Sequence, residues 1–166
     1  MLTKRVIPKI LIKKLAIQKE NIIVSLTTKK FKDNKIIGSP LSQATIFNDS
    51  KADEIILIDL DHNIIDQEKL NLISSIAENI FIPITVGGGV KTIEDIRILL
   101  SKGADRVVIN GSNLTAEKEN FIKNAVTYFG SQCIVISIDI INLGDEFAIY
   151  DYNKKIIFLS EICINL

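Results

Sequence analysis

Short apolar runs alternate with amphipathic segments along the chain, and this pattern predicts most of its secondary structure. The runs Ile55–Ile58 and Cys133–Ile136 are apolar at every position and are bounded by polar residues. Such runs are typical of strands that a sheet buries on both faces. The segment Gln67–Asn79 instead repeats apolar residues at the spacing of an amphipathic helix.

The pattern predicts strands and helices in alternation, followed by a hairpin. The predicted strands are Arg5–Lys13, Glu54–Leu60, Ile82–Val86, Arg106–Asn110 and Cys133–Asp139. The predicted helices are Pro40–Ser50, Gln67–Asn79, a helix capped by Thr92 and stopped by Gly103, and Thr115–Phe129. Glu146–Tyr152 and Lys155–Leu159 are predicted to pair as a short antiparallel hairpin. The Lys-rich segment Lys14–Gly38 is predicted as an irregular solvated loop that could hold a hairpin at Ile22–Thr28.

Alternation at about 25 residues per unit indicates an α/β fold with a parallel sheet covered by helices. Such a sheet can be open and doubly wound, or it can form part of a (βα)-barrel. The first strand is not followed by the G-x-G-x-x-G turn with which an open dinucleotide-binding sheet holds its cofactor. The sequence therefore favours the barrel, whose functional residues gather at the C-terminal ends of the strands.

Glycines follow two neighbouring predicted strands, where backbone amides could hold an anion. The third strand runs into Gly87-Gly88-Gly89, and the fourth ends in Asn110-Gly111. Amides without side chains, close to a helix N-terminus, suit a phosphate group. The alternative is that these glycines serve only a tight strand-to-helix turn. The repetition in adjacent units favours a phosphorylated small molecule as ligand.

Composition narrows the choice of partner. The 166 residues carry 20 basic and 20 acidic side chains, so the net charge is zero and gives no support for a nucleic-acid or anionic-membrane partner. Mean hydropathy is +0.28, yet the apolar runs are far shorter than the roughly 18 residues of a membrane span. Two cysteines and the lack of a leader pattern fit the cytoplasm. No metal or cofactor constellation is visible; the lone His62 reads as a loop residue.

Five colinear blocks closely resemble the cyclase subunit of imidazole glycerol phosphate synthase. They are Met1–Pro8, Asp53–Asp59, Pro83–Val90, Gly103–Asn110 and Phe129–Gln132. The resemblance runs to about Tyr152 and implies an eight-stranded (βα)-barrel of the histidine pathway. It implies a glutaminase partner that supplies ammonia, and a phosphorylated ribulosyl aminoimidazole nucleotide as substrate.

The resemblance also gives roles to residues at the C-terminal ends of the strands. Phosphate binding falls on Gly88, Gly89, Asn110 and Gly111. The catalytic carboxylate falls on Asp139, whose alternative is a helix cap or a surface acid. Asp59 matches an aspartate that contributes polarity to the site and positions its loop.

At the opposite end, Arg5, Glu54 and Arg106 match a charged ring through which ammonia passes from the glutaminase. Charged side chains crowded at a narrow barrel opening must pair with one another to offset their desolvation. Such a paired cluster can close the opening and control the passage of ammonia. The alternative is a set of ordinary charges at strand starts. Asp105, beside Arg106, is implied as a partner-docking residue.

Three departures from the family pattern bear on activity. Leu11 stands where the family has a catalytic aspartate, and Ser25 is the nearest match to a family lysine that touches substrate. The resemblance covers five strands, so we expect a partial, truncated TIM barrel as one domain over residues 1–166, with an aberrant tail at 154–166. Such a sheet could form a homodimer that completes the barrel.

Leu11 and the segment Ile36–Gln43 resemble a divergent branch of the family found with surface-polysaccharide genes. Members of that branch are thought to pass ammonia towards amidation of a sugar carboxyl group. Three functions therefore remain: the cyclase subunit, an ammonia-channelling subunit for surface-polysaccharide (lipopolysaccharide) biosynthesis, and a non-catalytic half-barrel remnant.

Overall fold

Strands and helices alternate through the chain as the pattern predicts. The computed structural model describes residues 4–17, 20–29, 33–111, 116–142, 144, 147–150 and 156–158. The helices are α1 (Pro40–Asp49), α2 (Gln67–Asn79), α3 (Ile93–Ser101) and α4 (Ala116–Phe129). The strands are β1 (Lys9–Ile17), β2 (Glu20–Lys29), β3 (Asp33–Gly38), β4 (Ile55–Asp59), β5 (Ile84–Gly87), β6 (Arg106–Asn110), β7 (Ile134–Ser137), β8 (Ile140–Asn142), β9 (Phe147–Tyr150) and β10 (Ile156–Phe158).

One sheet holds seven of these strands in the order β3-β2-β1-β4-β5-β6-β7. The strands β1, β4, β5, β6 and β7 are parallel neighbours, which confirms an α/β fold with a mostly parallel sheet. Their carboxyl ends lie along one edge of the sheet, as parallel connections through helices require. Residues that follow different parallel strands can therefore lie close together at this edge of the sheet.

The helices cover one face of the parallel strands and form the core there. In β4, Ile55 and Leu57 are fully buried, whereas Ile56 and Ile58 on the opposite face are only partly buried. The buried face packs against apolar residues of the helices, among them Ile73, Ile76, Ile96, Leu99 and Ala125. The other face of the sheet has no helix layer among the described residues, and it carries Arg106 and Asn110 among the predicted site residues.

The prediction for the first forty residues is wrong in two respects. The first strand begins at Lys9 rather than Arg5, and the predicted loop at Lys14–Gly38 contains the antiparallel strands β2 and β3. Val24 and Leu26 are buried in β2, while Lys35 in β3 is exposed. A half-buried antiparallel strand needs apolar residues on one face only, so a high lysine content does not exclude it.

The helix boundaries and the terminal hairpin follow the prediction closely. The Thr92 hydroxyl accepts a hydrogen bond from Asp95 N–H, and the Asp95 carboxylate accepts one from Thr92 N–H, which confirms the predicted cap as a full capping box. The predicted hairpin pairs β9 with β10, and β8 joins it to form a small antiparallel sheet. The predicted strand Cys133–Asp139 is shorter, since Ser131–Cys133 forms a 3-10 turn.

The tail 154–166 lies outside the described residues except for β10. No helix in the part of the chain that the structure describes is long and apolar enough to cross a membrane.

Candidate functional site

The predicted phosphate-binding segments lie side by side at the C-terminal edge of the parallel strands. Gly87 pairs with Val108, and Asn110 pairs with Ser137. Because side chains alternate along a strand, Asn110 lies on the same sheet face as Val108 and its neighbour Gly87. The structure thus places Gly87 and Asn110 on the face that the described helices leave uncovered, and Gly88 and Gly89 follow β5 at the same edge of the sheet.

The turn after β5 is shaped by glycines for which no other residue fits. Gly88 and Gly89 have φ angles of +116° and +86°, a region that favours glycine. A Cβ on Gly88 would collide with Asp59, and a Cβ on Gly89 would collide with the His62 carbonyl group. The Gly88 carbonyl accepts a hydrogen bond from Ile64 N–H at 3.1 Å. This turn is therefore packed directly against the loop that follows β4.

The amides of the same turn have no acceptor of their own. Among the described residues, neither Gly88 N–H nor Gly89 N–H donates a hydrogen bond, and both residues are only partly buried. Backbone donors of this kind are normally satisfied by protein, water or ligand. Both N–H groups can therefore be offered to an oxyanion that approaches the strand ends.

Gly111 differs from the other predicted phosphate ligands. Its N–H donates to the Ser137 carbonyl at 2.7 Å, and the residue is buried. A Cβ at this position would lie 2.6 Å from Cγ2 of Ile136, so packing against β7 accounts for the glycine. The expectation that the Gly111 amide binds phosphate therefore needs correction, because that N–H completes the sheet.

Asp139 lies two residues beyond the end of β7 and is partly exposed. Its neighbour along the sheet edge is Asn110, since Asn110 pairs with Ser137. A carboxylate at this edge can accept or donate a proton on a molecule held by the neighbouring strand ends.

Asp59 is not turned towards this edge. Its carboxylate is fully buried on the helix side of the sheet, where both oxygens lie 2.8 Å from Nζ of Lys69. The same carboxylate accepts hydrogen bonds from the N–H groups of Asp61 (3.2 Å) and Asn63 (2.8 Å). The expectation that Asp59 lines the site and contributes polarity to it therefore needs correction, whereas the expected role in positioning the loop fits the geometry.

A second carboxylate ties this loop to the first strand. Asp61 accepts a hydrogen bond from Lys14 N–H at 2.9 Å and contacts Lys69 Nζ at 3.1 Å. Burial would raise the pKa of the Asp61 carboxyl, but the Lys14 and Lys69 hydrogen bonds outweigh it and hold that pKa below its usual value. The carboxylate is therefore ionised at neutral pH and joins the loop to two elements.

Two of the three departures from the family pattern, Leu11 and Ser25, lie in described strands. Leu11 lies in β1 beside Ile58 and Leu26, so an apolar contact occupies the position of the family aspartate. Ser25 is buried, and its hydroxyl donates to the Gly38 carbonyl at 2.8 Å. Neither side chain can transfer a proton to a ligand at the strand ends.

The opposite end of the sheet holds a compact charged cluster. The buried Glu54 carboxylate accepts from Arg5 at 2.6 Å and from Arg106 at 2.7 Å, and its other oxygen accepts from the Thr85 hydroxyl. Burial would raise the pKa of Glu54, but hydrogen bonds from Thr85 and Arg5 and the charges of Arg106 and Arg5 hold it below its usual value. The structure thus brings together the three residues expected to form a ring.

Sequence reasoning missed two members of these clusters. Thr85 lies on the same sheet face as Arg106, its partner in the register. A hydroxyl within an otherwise apolar strand was the signal that could have indicated a polar partner. Lys69 lies in line with Ile73 and Ile76 on the buried side of α2. A lysine within an apolar stripe indicates a buried partner, because a buried ammonium group without one is costly.

Asp105 lies next to the charged cluster and supports the local backbone. Its carboxylate accepts from Ile84 N–H at 2.8 Å, and its own N–H donates to the Ile84 carbonyl at 2.8 Å. It also lines an open groove of about 420 Å³ beside Phe81, whose side chain is 95% exposed. Among the residues that the structure describes, no group of three His, Cys, Asp or Glu side chains could hold a metal ion.

Comparison with known proteins agrees with the sequence resemblance. Residues 5–161 match the model of the family described as "Histidine biosynthesis protein". The chain is 40% identical over 151 residues to the "Putative imidazole glycerol phosphate synthase subunit hisF2" of Campylobacter jejuni, covering 91% of this chain and 57% of the relative. It is 36% identical over 156 residues to the imidazole glycerol phosphate synthase subunit HisF of an Exiguobacterium species, covering 93% and 57%.

A protein of Vibrio vulnificus with the same hisF2 name is 43% identical over 123 residues, which cover 74% of this chain and 44% of that protein. The chain thus spans about half the length of the curated relatives it matches. The resemblance predicted from the five sequence blocks is confirmed by these matches. The chain belongs to the histidine biosynthesis protein family.

Proposed function

We propose that this chain acts as a cyclase subunit of imidazole glycerol phosphate synthase, in the histidine pathway of the cytoplasm. The observation that supports it most is the pair of unpartnered amides at Gly88 and Gly89, on the sheet edge that also holds Asn110. Two N–H groups and an amide side chain suit one phosphate of a ribulosyl aminoimidazole nucleotide. The Campylobacter and Exiguobacterium relatives, which are named as subunits of imidazole glycerol phosphate synthase, support the same reaction.

In this proposal, the phosphate group is bound at the strand ends and Asp139 moves a proton on the reacting part of the substrate. A bound phosphate fixes one end of a flexible molecule, which reduces the entropy lost on reaching the transition state. Asp139 follows the neighbouring strand β7 and is partly exposed, so its carboxylate can approach the substrate. Leu11 supplies no second carboxylate, and Asp139 alone carries the acid–base chemistry.

Ammonia would arrive from a glutaminase partner at the charged cluster of Arg5, Glu54 and Arg106. Glu54 holds both arginines through one carboxylate oxygen, with Nη–Oε2 distances of 2.6 and 2.7 Å. Side-chain exposures of 49% for Arg5 and 35% for Arg106 leave both guanidinium groups in reach of a partner surface. A shift of either arginine would open the cluster, and Asp105 would contribute to docking beside it.

The five parallel strands are then part of a TIM barrel, in which the uncovered sheet face is the barrel interior. The cluster around Glu54 and the edge around Asn110 lie at opposite ends of that face. Family barrels place binding residues at the C-terminal ends of their strands, as proposed here.

The second candidate is an ammonia-channelling subunit for amidation of a surface-polysaccharide sugar. Leu11 favours it, because a conduit needs the charged cluster but does not need two carboxylates at the strand ends. The hisF2 names of two relatives agree with a second form of the subunit.

Phosphate binding tests the proposed site directly. We expect titration with inorganic phosphate to shift the backbone amide NMR signals of Gly88 and Gly89. In Asn110→Asp a negative charge faces the anion, and we expect its affinity to fall about tenfold, which corresponds to about 1.4 kcal/mol. The matched control is Asn124→Asp on the exposed face of α4. Unchanged Gly88 and Gly89 signals at millimolar phosphate would contradict the proposal.

Complementation separates the candidate functions. We expect the gene to restore growth of a histidine auxotroph that lacks the cyclase subunit. Phosphate binding without growth would favour the channelling subunit, which should then supply ammonia for sugar amidation beside a glutaminase. Failure of both assays would leave the non-catalytic remnant.

We also expect the chain to associate with itself, as a homodimer that completes the barrel would. Ile136, Ile138 and Ile140 are 37%, 42% and 55% exposed at and beyond β7, whose outer edge is unpaired among the described residues. Exposed apolar side chains on an open strand favour association. Light scattering should give a mass above 18.5 kDa that falls in the double variant Ile136→Thr/Ile138→Thr. The control variant Ile46→Thr changes an exposed residue of α1 and should leave the measured mass unchanged. A monomeric mass at high protein concentration would refute the expected association.

A further inference from the structure

We propose that Lys69 is a positioning residue for the phosphate-binding turn at Gly88–Gly89. Lys69 belongs to the first turns of α2, and its side chain is only 2% exposed. Nζ lies 2.8 Å from both carboxylate oxygens of Asp59 and 3.1 Å from Asp61. The inference rests on the proposed function, because it concerns the turn assigned there to phosphate.

The Asp59 carboxylate has a second task beyond its ion pair. It accepts the N–H groups of Asp61 and Asn63, so it fixes the backbone of the loop that leaves β4. Burying a carboxylate is costly unless a cation and hydrogen-bond donors compensate it. Lys69 supplies that cation, and the loop conformation therefore depends on it.

The loop in turn shapes the glycine turn. Asp59 and His62 fill the space that a Cβ on Gly88 or Gly89 would need, and Ile64 N–H donates to the Gly88 carbonyl. That hydrogen bond orients the Gly88 peptide group. The contacts thus run from Lys69 through Asp59 and the loop to the amides that would hold phosphate.

The alternative is that Lys69 only stabilises the fold. The two roles differ when both charges are removed together. In Lys69→Met the Asp59 carboxylate is left buried without its cation, so stability and turn geometry should both suffer. In the double variant Asp59→Asn/Lys69→Met no fully buried charge is left uncompensated, because Asp61 also loses Lys69 but is 27% exposed and keeps its hydrogen bond from Lys14 N–H. Thermal stability should therefore largely return. The loop would still lack the anchor that aligns the Gly88–Gly89 turn.

We would measure NMR shifts at Gly88 and Gly89, hydrogen exchange of the Ile64 N–H that donates to the Gly88 carbonyl, and inorganic phosphate affinity. In Lys69→Met we expect exchange at Ile64 to be about tenfold faster and the phosphate dissociation constant about tenfold higher. The double variant should recover its melting temperature while the Gly88 and Gly89 signals stay displaced. Lys123→Met, on the exposed face of α4, is the matched control and should change none of these values.

A folded double variant with unchanged Ile64 exchange and unchanged Gly88 and Gly89 shifts would overturn the positioning role. The double variant also serves if Lys69→Met alone fails to fold. If the unsubstituted protein binds no phosphate, the proposed function fails, while exchange at Ile64 and the shifts of the two glycines still test the link from Lys69 to the turn.

Discussion

We expect Gly89→Ala to destabilise the protein strongly and to abolish phosphate binding. A Cβ at this position would collide with the backbone carbonyl group of His62, which cannot move aside as a flexible side chain could. The φ angle of +86° adds the strain of a left-handed conformation. We expect a loss of about 3 kcal/mol or more in the free energy of unfolding, measured by urea denaturation.

Gly144 provides a closely matched control for that change. Its φ angle is +88°, nearly that of Gly89, but a Cβ there meets no atom within 4 Å. Gly144→Ala should therefore show the conformational cost alone, about 1 kcal/mol, with phosphate affinity unchanged. Equal losses in the two variants would show that the loop after β4 yields to the glycine turn, contrary to the packing described above.

Glu54→Gln is expected to have the second largest effect. The substitution removes the carboxylate that pairs with Arg5 and Arg106 and leaves two cations facing each other. Loss of one partner from a fully buried ion pair costs roughly 3–5 kcal/mol, but both arginines reach solvent, so we expect about 2 kcal/mol. Glu94→Gln breaks an exposed pair with Arg97 and should cost less than about 0.5 kcal/mol.

The effect of Glu54→Gln should depend on pH. The pKa of Glu54 is held below its usual 4.5, so its stabilising contribution is complete above that pH and is lost as the pH falls through the lower, folded-state value. The gap in unfolding free energy between the two proteins should be constant near neutral pH and should narrow under acid. Urea titrations over a pH series measure it, and a gap that widens in acid would contradict the assignment of charge to this cluster.

The sequence predicted the bounds of those helices and strands that depend on interactions between residues close together in the chain. The helix Gln67–Asn79, the Thr92 cap and the strand Arg106–Asn110 have the predicted bounds, because apolar spacing and capping act within a few residues. The region Lys14–Gly38 was predicted wrongly. Its strands depend on pairing with β1, and its lysines obscured the alternation that Val24 and Leu26 mark.

The candidate site shows the same division. The five blocks predicted candidate residues at both ends of the sheet, and register brings the end of β5 and Asn110 to one edge. No pattern revealed that Gly111 N–H completes the sheet, or that Lys69 reaches Asp59 ten positions earlier. Both facts depend on where distant backbone and a long flexible side chain meet in three dimensions.

Strand β6 links the two ends of the uncovered sheet face. Arg106 and Asn110 lie four positions apart on it and point the same way, about 13 Å apart at the usual rise of a strand. Slippage of this one strand by a single residue would turn both side chains into the helix layer at once. The positions of Arg106 and Asn110 at the two ends are therefore both set by the pairing of β6 with its neighbours, and both ends would form or be lost in the same folding event.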